Sequence, residues 1–301
     1  MMKNLISIAD LAPEQLERLV TLAGDIEEGR ISPRLEGKLA ALLFFEPSTR
    51  TSFSFDTAMK RLGGQTLIMA GTGGTSVAKG ESLSDTLKTV SMYADLIVMR
   101  SPLEGAARFA SERVNIPVVN AGDGANQHPT QALLDLYSIR KTQGSLENLT
   151  VGMVGDLRYG RTVHSLVQAL SPFRPTFYFI SPAHLAMPSY LLEELREKKI
   201  PFFQMDKPDP VVHELDIMYV TRIQRERFPD QEEYERLKGS YIITPSTLNG
   251  AKPGMRVMHP LPRVDEIAEE VDGLEQAYYF EQARNGVYMR QAILTTLLEA
   301  I

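Results

Sequence analysis

The feature of the sequence that most constrains the fold is an alternation of short apolar runs with segments of helical periodicity. The apolar runs are rich in β-branched and aromatic residues, and the alternation continues along nearly the whole chain. A strand, a helix and a second strand in succession form a βαβ unit, and such units build parallel sheets. The sequence therefore predicts an α/β protein with doubly wound parallel sheets.

Two such domains are expected, because 301 residues exceed the usual length of one. We place the first domain at residues 1–140, the second at residues 141–284, and a C-terminal helix that packs back on the body at residues 285–301. Helices should link the two domains. The predicted strands cover residues 39–45, 66–69, 96–99, 116–119, 150–154, 176–180, 202–205, 217–220 and 256–258. The predicted helices begin near residues 13, 51, 82, 104, 130, 161, 189, 231 and 284.

The composition excludes several classes of site. The sequence has no Cys, so disulfides, thiol nucleophiles and cysteine-ligated zinc are ruled out. Its net charge of −6 argues against a nucleic-acid partner, since such proteins usually carry a basic domain. It has no apolar run of about 18 residues, the length that a membrane span needs. We expect a soluble, cytoplasmic protein without a membrane partner, an export signal, a metal or a cofactor.

The strongest local motif lies where the first predicted strand meets the next helix. It consists of four consecutive polar residues: Ser48, Thr49, Arg50 and Thr51. Unpaired helix N–H groups, the helix dipole and a guanidinium together suit a dianionic phosphate. The alternative is that Ser48 or Thr49 simply caps the helix.

A second junction places His128 just before a helix that begins with Pro129. A neutral histidine at this position can donate a hydrogen bond to a carbonyl oxygen on which charge develops. Gln131, one turn inside the helix, would point toward the same end. The alternative is a structural histidine, which is the commoner case.

The second domain carries its polar residues after its strands. The turn at residues 155–162 lacks the glycine spacing of a dinucleotide fingerprint, so we reject a nicotinamide or flavin cofactor. Arg161 instead offers a forked donor for a carboxylate, and the run at residues 221–227 offers further donors. The alternative is a solvated charged surface.

Two further loops complete the set of candidate sites. Pro260 and Leu261 belong to a loop with two prolines that could present rigid backbone carbonyls to a ligand amide, or could be only a stiff connection. The Gly-rich segment at residues 71–82 carries Lys79, but this lysine is followed by Gly, so the segment is not a Walker A loop. The segment is either a mobile lid that binds phosphate or a surface loop without a function in binding.

Taken together, the motifs at residues 48–51, 76–79, 128–131 and 259–262 resemble the transcarbamoylase family in order and spacing along nearly the whole chain. Members that act on ornithine have His-Cys-Leu-Pro as the last motif, and this chain has no Cys. The resemblance is to the members that act on aspartate. It implies transfer of the carbamoyl group from carbamoyl phosphate to L-aspartate, which gives N-carbamoyl-L-aspartate and phosphate in pyrimidine biosynthesis.

The resemblance also implies the roles of individual residues. The residues implied to be catalytic are Thr51, Arg100 and His128. The residues implied to bind carbamoyl phosphate are Ser48, Thr49, Arg50, Thr51, Arg100, His128, Gln131, Pro260 and Leu261. The residues implied to bind aspartate are Lys79, Arg161, Arg222 and Gln224. Ser76 and Lys79 would come from the neighbouring subunit of a homotrimer with shared active sites, and a separate regulatory chain stays open as a further partner.

Two alternatives to this function stay open at the level of the sequence. The first is an enzyme that acts on ornithine, against which the arginines and the missing Cys count. The second is a catalytically silent binding or scaffold subunit with the same fold. A carbamoylation assay with aspartate and ornithine in parallel separates all three.

Overall fold

The chain divides into two compact units in a computed structural model, which describes residues 2–71, 73, 75–222 and 241–299. The first unit comprises Met1–Tyr137 and Arg284–Ile301, and the second comprises Ser138–Ala283. Both points of division fall inside helices. The final stretch of chain therefore belongs to the first unit, which the sequence alone did not decide.

A four-stranded parallel sheet forms the centre of the first unit, in the order β2-β1-β3-β4. Its strands are β1 (Leu39–Phe44), β2 (Gln65–Ala70), β3 (Leu96–Ser101) and β4 (Val118–Asp123). The helices that begin in this unit's first segment are α1 (Pro13–Glu27), α2 (Thr49–Arg61), α3 (Leu83–Ser91), α4 (Ala106–Arg113) and α5 (Pro129–Gln143). The predicted parallel α/β fold is confirmed for this unit.

Burial explains the strand order. Nearly every residue of β1 and β3 is buried, as expected of strands covered on both faces of a parallel sheet. β2 is the edge strand, and most of its residues are exposed. β4 runs to Asp123, further than predicted, because the sequence after residue 119 resembles a turn. In the structure the Asn120 amide donates hydrogen bonds to the Ile6 carbonyl and to Asp123, and these bonds support the longer strand.

A five-stranded parallel sheet forms the centre of the second unit, in the order β7-β6-β5-β8-β9. Its strands are β5 (Thr150–Val154), β6 (Thr176–Ile180), β7 (Phe202–Met205), β8 (Ile217–Val220) and β9 (Arg256–Met258). Its helices include α6 (Arg161–Leu170) and α7 (Ser189–Glu197). The five strands match their predicted bounds, whereas the helix predicted at residues 231–238 lies outside the described residues.

The last helix, α8, spans Tyr279–Leu297, so the predicted start near residue 284 is wrong. The Asn285-Gly286 pair resembles a helix break, but Gly286 is needed for close packing: a Cβ there would lie 2.3 Å from Arg290 and 3.2 Å from Leu134. Among the described residues, no helix is long and apolar enough to cross a membrane.

Candidate active site

In the first unit, three adjacent strands carry the candidate residues at their carboxyl ends. β1 leads into Ser48, β3 carries Arg100 beside Phe44 of β1, and β4 leads into His128. Parallel strands end at the same edge of a sheet, which is where α/β proteins bind their ligands. These three groups of residues therefore lie along one edge.

The start of α2 is open to a ligand. Ser48 is the N-cap residue, and within the described chain its side chain makes no capping hydrogen bond. Thr49 is already the first helical residue, so neither hydroxyl acts as the simple cap that the sequence left open. Backbone N–H groups at a helix start, without a side-chain cap, are suited to bind an anion.

Two guanidinium groups strengthen the positive potential at this edge. Arg50 is exposed as a whole residue, but partial burial of its guanidinium first, and then the charge of Arg100, lower its pKa, so the two cations interact unfavourably when no anion lies near them. Arg100 Nη2 lies 3.2 Å from Glu46 Oε1, and its Nε is buried without a hydrogen-bond partner among the described residues. An anionic ligand would relieve the repulsion and complete the hydrogen bonding.

His128 and Gln131 occupy the start of α5. Both are buried, with His128 5% and Gln131 8% exposed. The His128 carbonyl accepts from the backbone N–H groups of Gln131 and Ala132, at 3.0 and 3.2 Å. The Gln131 amide donates from Nε2 to Asp135 Oδ1 at 2.9 Å. The sequence analysis missed Asp135, although its position four residues after Gln131 on a helix was a signal for this contact.

In the second unit, Gly155 shapes the turn after β5. Its φ is +112°, and a Cβ there would lie 2.1 Å from the Thr221 carbonyl oxygen, so only glycine allows the ends of β5 and β8 to approach this closely. Asp156 follows, and its Oδ1 accepts from the backbone N–H groups of Arg158 and Tyr159 at 3.1 and 2.9 Å. This loop leads to Arg161, the first residue of α6.

Three adjacent strands also carry the candidates of the second unit. β5 leads to Arg161, β8 leads to Arg222, and β9 leads to Pro260 and Leu261. Arg161 and Arg222 are both partly buried. Two guanidinium groups that follow neighbouring strands suit a ligand with two carboxylates. Gln224, which was predicted to bind the same ligand, lies outside the described residues.

Glu266 is the second residue that the sequence analysis missed. It is 6% exposed, and its Oε1 lies 2.6 Å from Nε2 of His259, which is also buried. Burial alone would raise the pKa of Glu266, but the hydrogen bond and electrostatic attraction of His259, together with hydrogen bonds from the loop backbone, outweigh burial, and the net effect is a lowered pKa. The carboxyl group is therefore ionised near neutral pH.

Ser76 and Lys79 stand apart from the other candidates. They lie in a short 3₁₀ helix, Ser76–Lys79, after the edge strand β2, and both are exposed. Within the described part of the chain, no hydrogen bond or ion pair joins either side chain to Arg50, Arg100 or His128. The lid predicted for this segment stays a prediction.

Two family models match consecutive parts of the chain. The carbamoyl-P binding domain of aspartate/ornithine carbamoyltransferase matches residues 3–141. The Asp/Orn binding domain of the same family matches residues 147–297.

Individual relatives match almost end to end. The aspartate carbamoyltransferase catalytic subunit of Chromobacterium violaceum is 55% identical over 296 residues, 98% of each chain. The solved catalytic subunit of M. jannaschii aspartate transcarbamoylase is 50% identical, with a TM-score of 0.93 over 99% of this chain and 98% of that one. The aspartate transcarbamoylase of Trypanosoma cruzi, solved with carbamoyl phosphate and aspartate, is 37% identical, with a TM-score of 0.90 over 97% of this chain and 95% of that one. With both models together spanning nearly all of its length, the chain belongs to the aspartate/ornithine carbamoyltransferase family.

Proposed function

We propose that the chain transfers the carbamoyl group of carbamoyl phosphate to the α-amine of L-aspartate, with N-carbamoyl-L-aspartate and phosphate as products. The observation that carries this proposal is the uncapped start of α2 together with the mutually repelling Arg50 and Arg100. This arrangement suits the phosphate of the first substrate. The relatives at 51–55% identity are aspartate carbamoyltransferase catalytic subunits, and this similarity favours aspartate as the second substrate.

The chemistry needs positioning more than it needs a covalent nucleophile. The aspartate amine attacks the carbamoyl carbon, and the tetrahedral intermediate carries negative charge on the former carbonyl oxygen. Thr51, Arg100 and His128 stabilise this oxyanion as hydrogen-bond donors. Phosphate then leaves with the electron pair of the broken C–O bond, and it can accept the proton that the amine loses.

Binding of the two substrates is divided between two sets of residues. Ser48, Thr49 and Arg50 bind the phosphate, and Gln131 with the Pro260 and Leu261 carbonyls binds the carbamoyl amide. Arg161, Arg222 and Gln224 bind the aspartate carboxylates. The many cations are required because both substrates are anions, which repel each other and must be held in one orientation.

The proposal includes a homotrimer in which Ser76 and Lys79 complete the site of a neighbouring chain. An exposed apolar edge supports association with further copies of this chain. Leu67 and Ile68 of the edge strand β2 are 43% and 49% exposed, and parallel sheets are normally covered on both faces. An uncovered apolar edge strand is a typical contact surface.

A cytoplasmic location and a place in pyrimidine biosynthesis belong to the same proposal. The lack of Cys is compatible with a reducing compartment. The pathway follows from the product, N-carbamoyl-L-aspartate, if aspartate is the acceptor.

The experiment that tests the function is a steady-state assay of phosphate release from carbamoyl phosphate, with aspartate, with ornithine and with neither. Release that depends on aspartate and saturates with it is the expected result. Release that depends on ornithine would support the other branch of the family. Binding of carbamoyl phosphate without release in either case would support a silent binding subunit.

A further inference from the structure

The loop at residues 259–266, which follows β9, is organised by one histidine in one tautomer. The backbone N–H of Leu261 donates to Nδ1 of His259 at 2.7 Å, so Nδ1 carries a lone pair. The proton of the neutral ring is then on Nε2, which lies 2.6 Å from Glu266 Oε1. Both hydrogen bonds are satisfied only by this tautomer.

Glu266 holds the far end of the same loop. Its second oxygen, Oε2, accepts from the backbone N–H groups of Val264 and Asp265, at 3.0 and 3.1 Å. At the near end, the His259 backbone N–H donates to Gln282 Oε1 at 2.8 Å. One buried carboxylate thus connects both ends of the loop, and His259 connects it to Leu261.

Leu261 needs this support because its backbone is in the left-handed region, with φ at +54°. A leucine in this conformation is strained, and it persists only where its surroundings hold it. Its N–H bond to His259 is one such restraint. The orientation of the adjacent carbonyls therefore depends on the imidazole, and the imidazole depends on Glu266.

We infer that Glu266 is a positioning residue, which locks the His259 tautomer and so aims the Pro260 and Leu261 carbonyls at the amide of carbamoyl phosphate. This inference rests on the proposed function for the identity of the ligand. Glu266 itself touches no substrate in this scheme. Its role is to favour a carbamoyl group, which has two N–H donors, over groups of the same shape that have none.

Glu266→Gln is the informative variant, because its amide N–H₂ would face the Val264 and Asp265 N–H groups or the His259 Nε2–H and would repel them. We expect the KM for carbamoyl phosphate to rise about tenfold, as for the loss of one or two hydrogen bonds. The inhibition constants of inorganic phosphate and acetyl phosphate should stay unchanged, since neither has an amide to place. Glu270→Gln, at an exposed acid in the 3₁₀ helix Glu269–Gly273, is the matched control.

The tautomer is measured separately, by ¹⁵N NMR of histidine-labelled protein, with the His259 signals assigned by their loss in His259→Asn. The wild-type protein should show a neutral ring protonated at Nε2, and Glu266→Gln should show a mixture of tautomers or a protonated Nδ1. Glu266→Asp keeps the negative charge on a shorter side chain. Its fraction of His259 protonated at Nε2 should lie between the fractions in the wild type and in Glu266→Gln. If Glu266→Gln does not fold, Glu266→Asp carries both measurements.

A wild-type His259 protonated at Nδ1 would overturn the inference. A folded Glu266→Gln variant that binds carbamoyl phosphate and acetyl phosphate more weakly by the same factor would also overturn it, since an equal loss indicates general damage to the site. Failure of the proposed function is distinct, because it would appear as a wild-type protein that does not turn over carbamoyl phosphate while the tautomer measurement stands.

Discussion

Gln131 and Asp135 are joined across one turn of α5 by a hydrogen bond of 2.9 Å from Nε2 to Oδ1, with both side chains buried. Arg290 of α8 is also buried, and its guanidinium carbon is 5.0 Å from the centre of the Phe55 ring. Burial lowers the pKa of Arg290 to about 10, and the charge of Asp135 opposes this shift. The charge of Asp135, which holds Gln131, is therefore also attracted to the buried Arg290 guanidinium.

Removal of one member of the pair Asp135 and Arg290 should destabilise the first unit strongly. Asp135→Ala leaves the Arg290 charge buried beside the Phe55 ring, and we expect the free energy of unfolding to fall by about 3–5 kcal/mol. The double variant Asp135→Ala with Arg290→Met should lose less, because no charge is then left without its partner. Urea unfolding followed by circular dichroism measures both.

Glu28→Ala, at an exposed acid after α1, is the control and should stay within about 0.5 kcal/mol of the wild type. Equal losses for Asp135→Ala and the double variant would show that the charge of Arg290 is not what destabilises the single variant.

His128→Ala should lower kcat by about 10²–10³-fold, because an oxyanion donor acts more strongly in the transition state than in the ground state. The KM for carbamoyl phosphate should change much less. His213→Ala, at an exposed histidine of the second unit, is the matched control. A near-normal kcat together with a lowered melting temperature would instead assign His128 a structural role.

Acid should destabilise the protein through His164. Burial lowers the pKa of His164, against a 2.7 Å hydrogen bond between its Nε2 and the Leu157 carbonyl. In the unfolded chain the ring titrates near its ordinary value of about 6.5. Below that pH His164 is protonated in the unfolded state but stays largely neutral in the folded state. The free energy of unfolding therefore falls as the pH drops.

The measurement is urea unfolding between pH 5 and pH 7.5. His164→Gln should flatten the pH dependence below about pH 6.5, whereas His213→Gln, exposed to solvent, should leave it as in the wild type. A His164→Gln protein with an unchanged slope would assign the acid sensitivity to other groups.

Shared active sites predict complementation between two inactive variants. Arg50→Ala and Lys79→Ala should each be nearly inactive, since each lacks at every site one cation that substrate binding needs. After joint denaturation and refolding at equal ratio, about a quarter of the sites in a trimer should have both residues intact. Activity near that fraction of the wild type is expected, and no recovery in verified mixed trimers would rule out a shared site.

Much of the fold was predictable because burial on both faces of a parallel sheet produces continuous apolar runs, such as the one at β5. The start of α8 was not predictable from the sequence. Asn285 and Gly286 disfavour a helix locally, but they are helical because Gly286 packs closely against Leu134. The interaction between Asp135 and Arg290 was missed for a related reason. Their relationship joins positions far apart in the chain, and no periodicity marks it.

The candidate site divides in the same way. Ser48, Arg50 and Arg161 could be predicted as candidates because strand-to-helix junctions in α/β proteins bind ligands, and the structure places these junctions where the sequence indicated them. Glu266 could not, because two adjacent acids after a proline-rich loop, Asp265 and Glu266, resemble solvated side chains. Only the folded loop shows that its carboxylate accepts from His259 and from two backbone N–H groups.

The fate of the carbamoyl carbon gives the most direct measurement of the reaction. When [¹³C]carbamoyl phosphate is incubated with the protein and [¹⁵N]aspartate, ¹³C NMR should show a product whose carbamoyl carbon is split by one-bond coupling to ¹⁵N. Arg222→Ala should form the same product but need far more aspartate, with a loss of about 2–4 kcal/mol in apparent binding, whereas Arg196→Ala, exposed on α7, should behave as the wild type. A labelled carbon that appears only as uncoupled hydrolysis products, or that couples to nitrogen only when ¹⁵N-labelled ornithine replaces aspartate, would contradict the assignment.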